Sequence, residues 1–267
     1  MTTLQIVVLA LVQGITEFLP ISSSGHLILV PIVTNWPDQG LLFDVAVHVG
    51  SLGAVLIYFR HDVLQILRGF PALLRSDRLD NPRSRLLLLV AIGTVPVIAA
   101  GVLLKAFGTD VLRSAAVIGW TMLIFGVVLY LVDRWRPDEA TLERMTFGGA
   151  LFIGLAQVLA LIPGTSRAGI TMTAARWLGY RRDEAARFSL LLSIPTILAA
   201  GGLLTLDVIE AENLQVGQDI LLATGLALVA ALTAITLMMR WLQHASYTPF
   251  VVYRCLLGVA LLIYAYA

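Results

Sequence analysis

Apolar residues run through most of this chain in blocks that are long enough to cross a lipid bilayer. A membrane-spanning helix needs about 20 predominantly apolar residues. Six such blocks are separated by shorter polar stretches, and they cover residues 41–59, 86–104, 115–132, 188–206, 220–239 and 250–267. The pattern therefore predicts an all-α polytopic membrane protein with six transmembrane helices.

Two further apolar segments are each interrupted by polar residues. The first reads QGITEFLPISSSGH over residues 13–26, and the second reads PGTSRAGIT over residues 163–171. Proline lacks an amide hydrogen and disfavours a helical conformation of the residue before it, so Pro20 predicts a helix break at Leu19. Each segment is therefore predicted to be a broken helical hairpin.

The charge of the loops predicts how the chain is oriented, because loops rich in Lys and Arg stay on the cytoplasmic side. The loops placed inside are those near 60–85, 134–144, 176–187 and 240–246, and those placed outside are near 105–113 and 207–219. These assignments agree only if both broken segments are re-entrant and both termini lie outside. Re-entrant backbone is tolerated only inside protein or beside a wet cavity, so the two hairpins should meet near the midplane.

An internal similarity relates the two halves of the chain. A shift of 144 residues carries Gln13 onto Gln157, Ser22 onto Ser166 and Gly25 onto Gly169. Together with the opposite orientations, this predicts an inverted-topology repeat within one integral membrane domain, residues 1–267. Repeat 1 covers about 1–134 and repeat 2 about 146–267. Binding sites of such proteins usually lie between discontinuous helices at the repeat interface.

Composition agrees with a membrane protein and excludes several other classes. The chain is 58% hydrophobic and 13% charged, whereas soluble domains carry about 25% charged residues. The net charge of +1 and the basic residues confined to short loops argue against a nucleic-acid partner. Cys255 is the only cysteine, so neither an intrachain disulfide nor a cysteine metal site is expected. No cleaved signal peptide is expected at the N-terminus.

The two breaks carry the parts of a phosphoryl-transfer site. Gln13 and Glu17 lie four apart and share a helix face, and Ser23 and His26 follow in the same segment. Arg167 in the second break supplies a guanidinium that fits phosphate oxygens. A hydroxyl, an acid or base and a cation together can transfer a phosphoryl group. The expected substrate is an amphiphile whose phosphate head reaches the midplane while its tail stays in lipid.

Hydroxyls, glycines and backbone amides around these residues are candidates for phosphate binding. A serine of the triplet at 22–24 should cap the second helix, whose free amides can bind an anion. The candidates are Ser22, Ser24, Gly25, Gly164, Thr165, Ser166, Gly169 and Thr171. Arg254 also lies in an apolar run, where pairing with a carboxylate is favoured over a position near the head group. Asp44 and His48 are expected only to line the outer mouth of the cavity.

Both motifs resemble those of the undecaprenyl-diphosphate phosphatase family, also called bacitracin-resistance proteins, and the resemblance covers the whole chain. The family's first motif consists of a Glu or Gln that is followed, after three intervening residues, by a Glu. It is matched by Gln13 and Glu17, with Ser22, Ser23, Gly25 and His26 behind them. The second is Pro-Gly-x-Ser-Arg-Ser-x-x-Thr, and it is matched at Pro163, Gly164, Ser166, Arg167 and Thr171. Gln13 replaces the carboxylate that some members of the family have, and Ala168 replaces the second serine of the second motif.

The resemblance implies hydrolysis of undecaprenyl diphosphate on the outer face of a bacterial plasma membrane, which recycles the lipid carrier for peptidoglycan. It implies a divalent cation, Mg or Ca, with Gln13 and Glu17 as candidate ligands. In this scheme Ser23 attacks the terminal phosphorus, Glu17 or His26 takes its proton, and Arg167 steadies the equatorial oxygens. His26 as the nucleophile is left open.

Two other functions are weighed against the phosphatase. A polyprenyl-phosphate carrier or flippase could use the same midplane site, because many secondary transporters are built from inverted repeats with broken helices. A membrane scaffold with purely structural polar contacts is the third interpretation. The oligomeric state is left open, with a homodimer among the alternatives.

Overall fold

The structure of the chain is a computed structural model that describes residues 1–34, 36, 40–73, 81–107, 114–210 and 217–267. Within these residues the chain forms α-helices and no β-strand, apart from one isolated bridge between Ala140 and Tyr180. The helices are α1 Thr3–Thr16, α2 Ser23–Thr34, α3 Leu41–Tyr58, α4 Arg60–Ala72, α5 Pro82–Phe107, α6 Ala115–Trp135, α7 Phe147–Val158, α8 Arg167–Trp177, α9 Arg182–Glu210, α10 Gln218–Leu242 and α11 Thr248–Tyr266. The predicted all-α class is confirmed.

Five helices are long and apolar enough to cross a membrane, judged over the residues that the structure describes. They are α5, α6, α9, α10 and α11. A sixth crossing exists if α3 and α4 are counted together, although α4 is bent away from α3 by 88°. The chain is therefore a multi-pass helical membrane protein with five or six candidate spans, against the six that were predicted.

One stretch predicted as a loop is partly helical. Residues 60–72 form α4, which buries Asp62 and exposes Leu64, Leu67 and Phe70. A buried carboxylate needs a partner, and Arg187 of α9 provides it through Nη2 at 2.5 Å. Helix α9 accordingly begins at Arg182, six residues before the predicted span. Residues 74–80 of this loop, residues 108–113 of the predicted loop 105–113 and residues 211–216 of the predicted loop 207–219 lie outside the described residues.

Both predicted breaks are present, and the serine before the second helix of each has the same conformation. Helix α1 ends at Thr16, three residues before the predicted position, and α7 is followed by a single 3₁₀ turn, Leu159–Leu161. Ser22 and Ser166 precede α2 and α8, and they are the non-glycine residues with positive φ among those described, at 74° and 70°. Each hydroxyl accepts a hydrogen bond from the amide three residues later, at 3.3 and 3.1 Å. These caps fix where both helices begin.

Close backbone approaches place α1 and α7 against their neighbours. A Cβ added to Gly14 of α1 would lie 2.6 Å from the Ala227 carbonyl oxygen of α10. A Cβ on Gly154 of α7 would lie 2.4 Å from the Gly93 carbonyl oxygen of α5. Small residues at such crossings allow membrane helices to approach closely. The two segments that lead into the breaks are thereby held at fixed positions.

The far end of α8 is fixed by a compact group of charges. The buried Arg176 side chain donates from Nε to Asp133 Oδ1 at 2.9 Å and from Nη1 to Asp138 Oδ1 at 3.0 Å. Arg182 donates to the same two carboxylates, each at 2.8 Å. Two cations and two carboxylates compensate one another, as burial of charge requires. This group joins the ends of α6 and α8 to the start of α9.

Arg254 joins the two breaks from α11. Its fully buried guanidinium donates from Nη1 to the Pro20 carbonyl at 3.2 Å, and from Nη2 to the Gly164 and Thr165 carbonyls at 3.1 and 2.9 Å. Its Nε donates to the Met122 carbonyl at 3.1 Å. The prediction that Arg254 pairs with a carboxylate is therefore wrong. The physical reason is that broken helices leave backbone carbonyls unpaired, and a guanidinium can satisfy several of them.

We expect Arg254→Lys to lower the free energy of unfolding by about 3 kcal/mol or more, because an ammonium cannot reproduce the fork of donors and leaves buried carbonyls unpaired. Thermal and denaturant unfolding of the purified protein measure this loss. Arg240→Lys is the matched control, because Arg240 is exposed at the end of α10. Equal stability of the two variants would show that Arg254 does not hold the breaks together.

Candidate active site

The two breaks meet at the carboxylate of Glu17, which is only 8% exposed. Glu17 Oε1 accepts a hydrogen bond from Arg167 Nη2 at 2.7 Å. Glu17 Oε2 accepts from Ser23 Oγ at 2.6 Å and from Gln13 Nε2 at 3.0 Å. A hydroxyl, a carboxylate and a guanidinium are thus in direct contact, although the hydroxyl and the guanidinium come from opposite halves of the chain.

Ser23 and Arg167 occupy equivalent positions at the start of their helices. Ser23 is the first residue of α2 and Arg167 the first of α8, each directly after its capping serine. The amides at a helix N-terminus point outward and favour negative charge nearby. The N-termini of α2 and α8 therefore both lie next to Glu17. One carries the candidate nucleophile Ser23, and the other carries the cation Arg167.

Three buried polar atoms in this region have no hydrogen-bond partner within the described part of the chain. They are Gln13 Oε1, Thr165 Oγ1 and Arg167 Nη1. Leaving a buried donor unpaired costs about 1–3 kcal/mol, and more for a charged group. A phosphate oxygen is a group that could accept from Arg167 Nη1. The second guanidinium nitrogen is therefore available to a ligand while the first is held by Glu17.

His26 lies beside the site but is directed elsewhere. Its Nδ1 contacts the Ser22 carbonyl oxygen at 2.6 Å, and its Nε2 contacts the Tyr253 hydroxyl at 2.6 Å. Because a carbonyl only accepts, Nδ1 must carry the hydrogen. Both imidazole nitrogens are thus engaged by groups other than Ser23 and Glu17. Of the two bases considered for Ser23, Glu17 is the one in hydrogen-bond contact with it.

His48 was expected only at the mouth of the cavity, and the structure places it close to the carboxylate. Its Nε2 lies 4.0 Å from Glu17 Oε2, while its Nδ1 is bonded to the Asp44 carbonyl oxygen at 2.7 Å. The signal in the sequence was a histidine four residues after an aspartate inside an apolar run. Tyr253, which contacts His26, was missed because a tyrosine in an apolar run carries no distinguishing pattern.

Several candidate phosphate-binding residues make contacts within the protein. A Cβ on Gly164, whose φ is +88°, would lie 2.1 Å from Thr121 Oγ1, and one on Gly169 would lie 2.8 Å from Arg254 Nη1. A Cβ on Gly25 would lie 3.3 Å from Ile118 Cγ2. These glycines make room for protein atoms of α6 and α11, which is a packing role.

The hydroxyl candidates also differ from one another. The Ser22 and Ser166 hydroxyls cap helices, as described above. Thr171 Oγ1 is bonded to the Arg167 carbonyl at 2.8 Å and to Ser189 Oγ at 2.6 Å. Ser24 is exposed, and its hydroxyl lies 3.4 Å from that of Ser22. Among the candidate hydroxyls, that of Thr165 is the buried one without a partner.

The residues present can contribute to a divalent cation site but do not form one by themselves. No group of three His, Cys, Asp or Glu side chains lies together in the described ranges. Mg²⁺ usually needs one or two carboxylates and completes its shell with substrate phosphates and water. Glu17 and the unpaired Gln13 Oε1 supply two oxygens of the required kind. The donor set therefore fits a hard cation shared with a phosphate ligand.

Three curated proteins that are similar to all or nearly all of the chain are named undecaprenyl-diphosphatase. The chain is 52% identical over 268 residues to the undecaprenyl-diphosphatase of Roseobacter denitrificans, and 53% identical over 268 residues to that of a Jannaschia species, with 100% of each chain covered. It is 51% identical over 258 residues to the undecaprenyl-diphosphatase of Alcanivorax borkumensis, with 97% of each chain covered. The family model described as "Bacitracin resistance protein BacA" matches residues 6–260, and the chain belongs to this family.

Proposed function

We propose that the protein is a membrane-embedded phosphatase that hydrolyses undecaprenyl diphosphate to undecaprenyl phosphate and inorganic phosphate. The observation that carries the proposal is the contact of Ser23 and Arg167 with the two oxygens of one carboxylate, Glu17. The names of the relatives support the same substrate. The reaction returns the lipid carrier to peptidoglycan synthesis and so confers resistance to bacitracin.

In the first half of the reaction, Ser23 Oγ attacks the terminal phosphorus of the diphosphate. Its proton passes to Glu17 Oε2, which lies 2.6 Å away. A serine hydroxyl is a weak nucleophile unless an adjacent base removes its proton. The bond from the terminal phosphorus to the bridging oxygen breaks, and undecaprenyl phosphate leaves with that oxygen.

In the second half, a water molecule attacks the phosphoserine and the bond from phosphorus to Oγ breaks. Glu17 returns its proton to Ser23 Oγ, and the protons of the water remain on the released phosphate. The same carboxylate thus acts as base and then as acid, as reversal of the first step requires.

Arg167 offsets the charge that develops on the transferred group. Nη2 is held by Glu17, while Nη1 is buried and unpaired, so Nη1 is available to an equatorial oxygen. The Thr165 hydroxyl and the amides at the start of α2 and α8 add neutral donors. Donors that are already in place before reaction stabilise the transition state without reorganisation.

A divalent cation, Mg or Ca, is part of the proposal. Glu17 and Gln13 Oε1 would hold it together with diphosphate oxygens. When bound, the ion would reduce the negative charge of the diphosphate. Glu17 retains its contacts to Ser23 and Arg167 because each carboxylate oxygen can accept more than one partner.

The proposed setting is the inner membrane of a bacterium, with the site opening to the outer side and both termini outside. The substrate's tail stays in lipid while its head group reaches the meeting point of the two breaks. An inverted repeat of 1–134 and 146–267 is supported by the matching caps at Ser22 and Ser166. It is also supported by Gln13 and Gln157, both buried with an unpaired Oε1.

Ser23→Ala is expected to abolish release of phosphate from polyprenyl diphosphate by the purified protein, because no other hydroxyl contacts Glu17 in the described residues. A phosphorylated intermediate trapped in the wild type should map to Ser23. Thr233→Ala, which removes a hydroxyl from the exposed surface of α10, should keep wild-type turnover. A phosphoryl label found on His26, or full turnover with no labelled residue, would contradict Ser23 as the nucleophile. Transfer of the head group across the membrane without release of phosphate would favour a carrier.

Arg167→Lys should lower kcat by about 10²–10³, which is the usual cost of losing one preorganised transition-state donor. An ammonium cannot contact Glu17 and a phosphate oxygen with the same fork. Phosphate release under saturating substrate measures the effect, and Arg181→Lys, in an exposed pair with Asp183, is the control. Similar turnover in both variants would contradict a role of Arg167 in the reaction.

Chelation of divalent cations should stop phosphate release, and added Mg or Ca should restore it. Gln13→Ala should raise the cation concentration required for half-maximal activity by about tenfold or more, because even the groups that only orient metal ligands typically contribute 10–100-fold to metal affinity. Gln157→Ala, at the equivalent position of the other half, should keep the wild-type requirement. Full activity in the presence of a chelator would overturn the metal proposal.

A further inference from the structure

We infer that Tyr253 is a positioning residue, which acts through His26 and Ser22 on the backbone turn that presents Ser23 to Glu17. The inference rests on the proposed phosphatase function and adds to it a residue of α11 outside both motifs. Tyr253 itself is linked to Ser23 only through the two intermediate residues.

Two short hydrogen bonds form this link. The Tyr253 hydroxyl lies 2.6 Å from His26 Nε2, and His26 Nδ1 lies 2.6 Å from the Ser22 carbonyl oxygen. Since the carbonyl fixes the hydrogen on Nδ1, Nε2 of the neutral imidazole accepts, and the tyrosine hydroxyl donates. The two rings are parallel within 6°, with centroids 5.6 Å apart. The Ser22 carbonyl therefore fixes the tautomer of the imidazole, and Tyr253 of α11 fixes its position and plane.

The carbonyl that receives this hydrogen bond belongs to a strained residue. Ser22 has φ of 74°, a region that non-glycine residues seldom adopt. Such a conformation persists only when surrounding contacts over-determine it. The Ser22 hydroxyl is held by the Gly25 amide at 3.3 Å, and its carbonyl is held by His26. This carbonyl and the amide of Ser23 share one peptide plane, so a rotation there moves the nucleophile.

The position of Tyr253 next to Arg254 explains why α11 controls this turn. Arg254 points inward and binds the Pro20 carbonyl, while Tyr253 is 44% exposed and reaches His26. Two consecutive residues of one helix therefore contact the first break before and after Ser22. Loss of either contact leaves the strained turn with fewer constraints.

Tyr253→Phe tests the inference, because it removes the hydroxyl and keeps the ring that stacks on His26. We expect kcat for phosphate release to fall about tenfold or more and KM to stay within about twofold. Small displacements of a reacting group have a large effect on the transition state, whereas Arg167 Nη1, the proposed cationic donor to the phosphate oxygens, is not part of the link from Tyr253 to Ser23. Tyr264→Phe, the same change at another exposed position of α11, should keep wild-type kcat and KM.

A second measurement reports on His26 directly. Diethyl pyrocarbonate modifies imidazole nitrogens that are free to react, and mass spectrometry locates the modified histidine. In Tyr253→Phe, Nε2 loses its hydrogen bond, so His26 should react several-fold faster than in the wild type and in Tyr264→Phe. His61 and His244 in the same protein serve as internal references, and the thermal unfolding of Tyr253→Phe should match that of the wild type.

An unchanged kcat in Tyr253→Phe would overturn the inference whatever the labelling rate. A lower kcat with unchanged labelling of His26 would also overturn it, because the effect would not pass through the imidazole. If the wild type and Tyr264→Phe release no phosphate at all, the proposed function itself fails. The two failures are therefore distinguishable.

Discussion

The structure depends on how the backbone carbonyls of two broken helices are satisfied inside a membrane protein. Non-helical backbone at membrane depth is tolerated only where protein or water provides hydrogen bonds. Arg254 provides three of them, to Pro20 in the first break and to Gly164 and Thr165 in the second, and it donates a fourth hydrogen bond to Met122 of α6. The same guanidinium therefore permits both breaks and holds them next to each other, which is the condition for a shared site.

Where the two breaks meet, one nitrogen of the Arg167 guanidinium has no hydrogen-bond partner among the described residues. Glu17 is bonded by Arg167, Ser23 and Gln13, and it neutralises one guanidinium. Buried charges are costly unless they are paired. A pair that leaves Arg167 Nη1 unpaired is suited to an anionic ligand that enters and leaves, because the protein alone does not complete the hydrogen bonding.

The stretches predicted as spans are all helical in the structure, because burial in lipid demands long apolar runs that are visible in one dimension. The breaks at Pro20 and Pro163 were also predicted, since proline and capping serines act locally. The amphipathic helix α4 was missed because it lies in a polar stretch that was interpreted by its charge alone. The start of α9 was missed because Asp183, Glu184 and Arg187 did not look like part of a span, although Arg187 pairs with the buried Asp62.

The sequence by itself determined the class of protein, the two breaks and the kinds of side chain available for chemistry, because hydropathy, proline and capping act over a few residues. Only the tertiary structure decided that Ser23 contacts Glu17 while His26 contacts Tyr253, that Arg254 binds carbonyls, and that His48 approaches the site. Glu17 and Arg167 are 150 positions apart. Helix packing decides which of several chemically suitable side chains are in contact. A local sequence pattern cannot predict these contacts, because they join residues that are far apart in the chain.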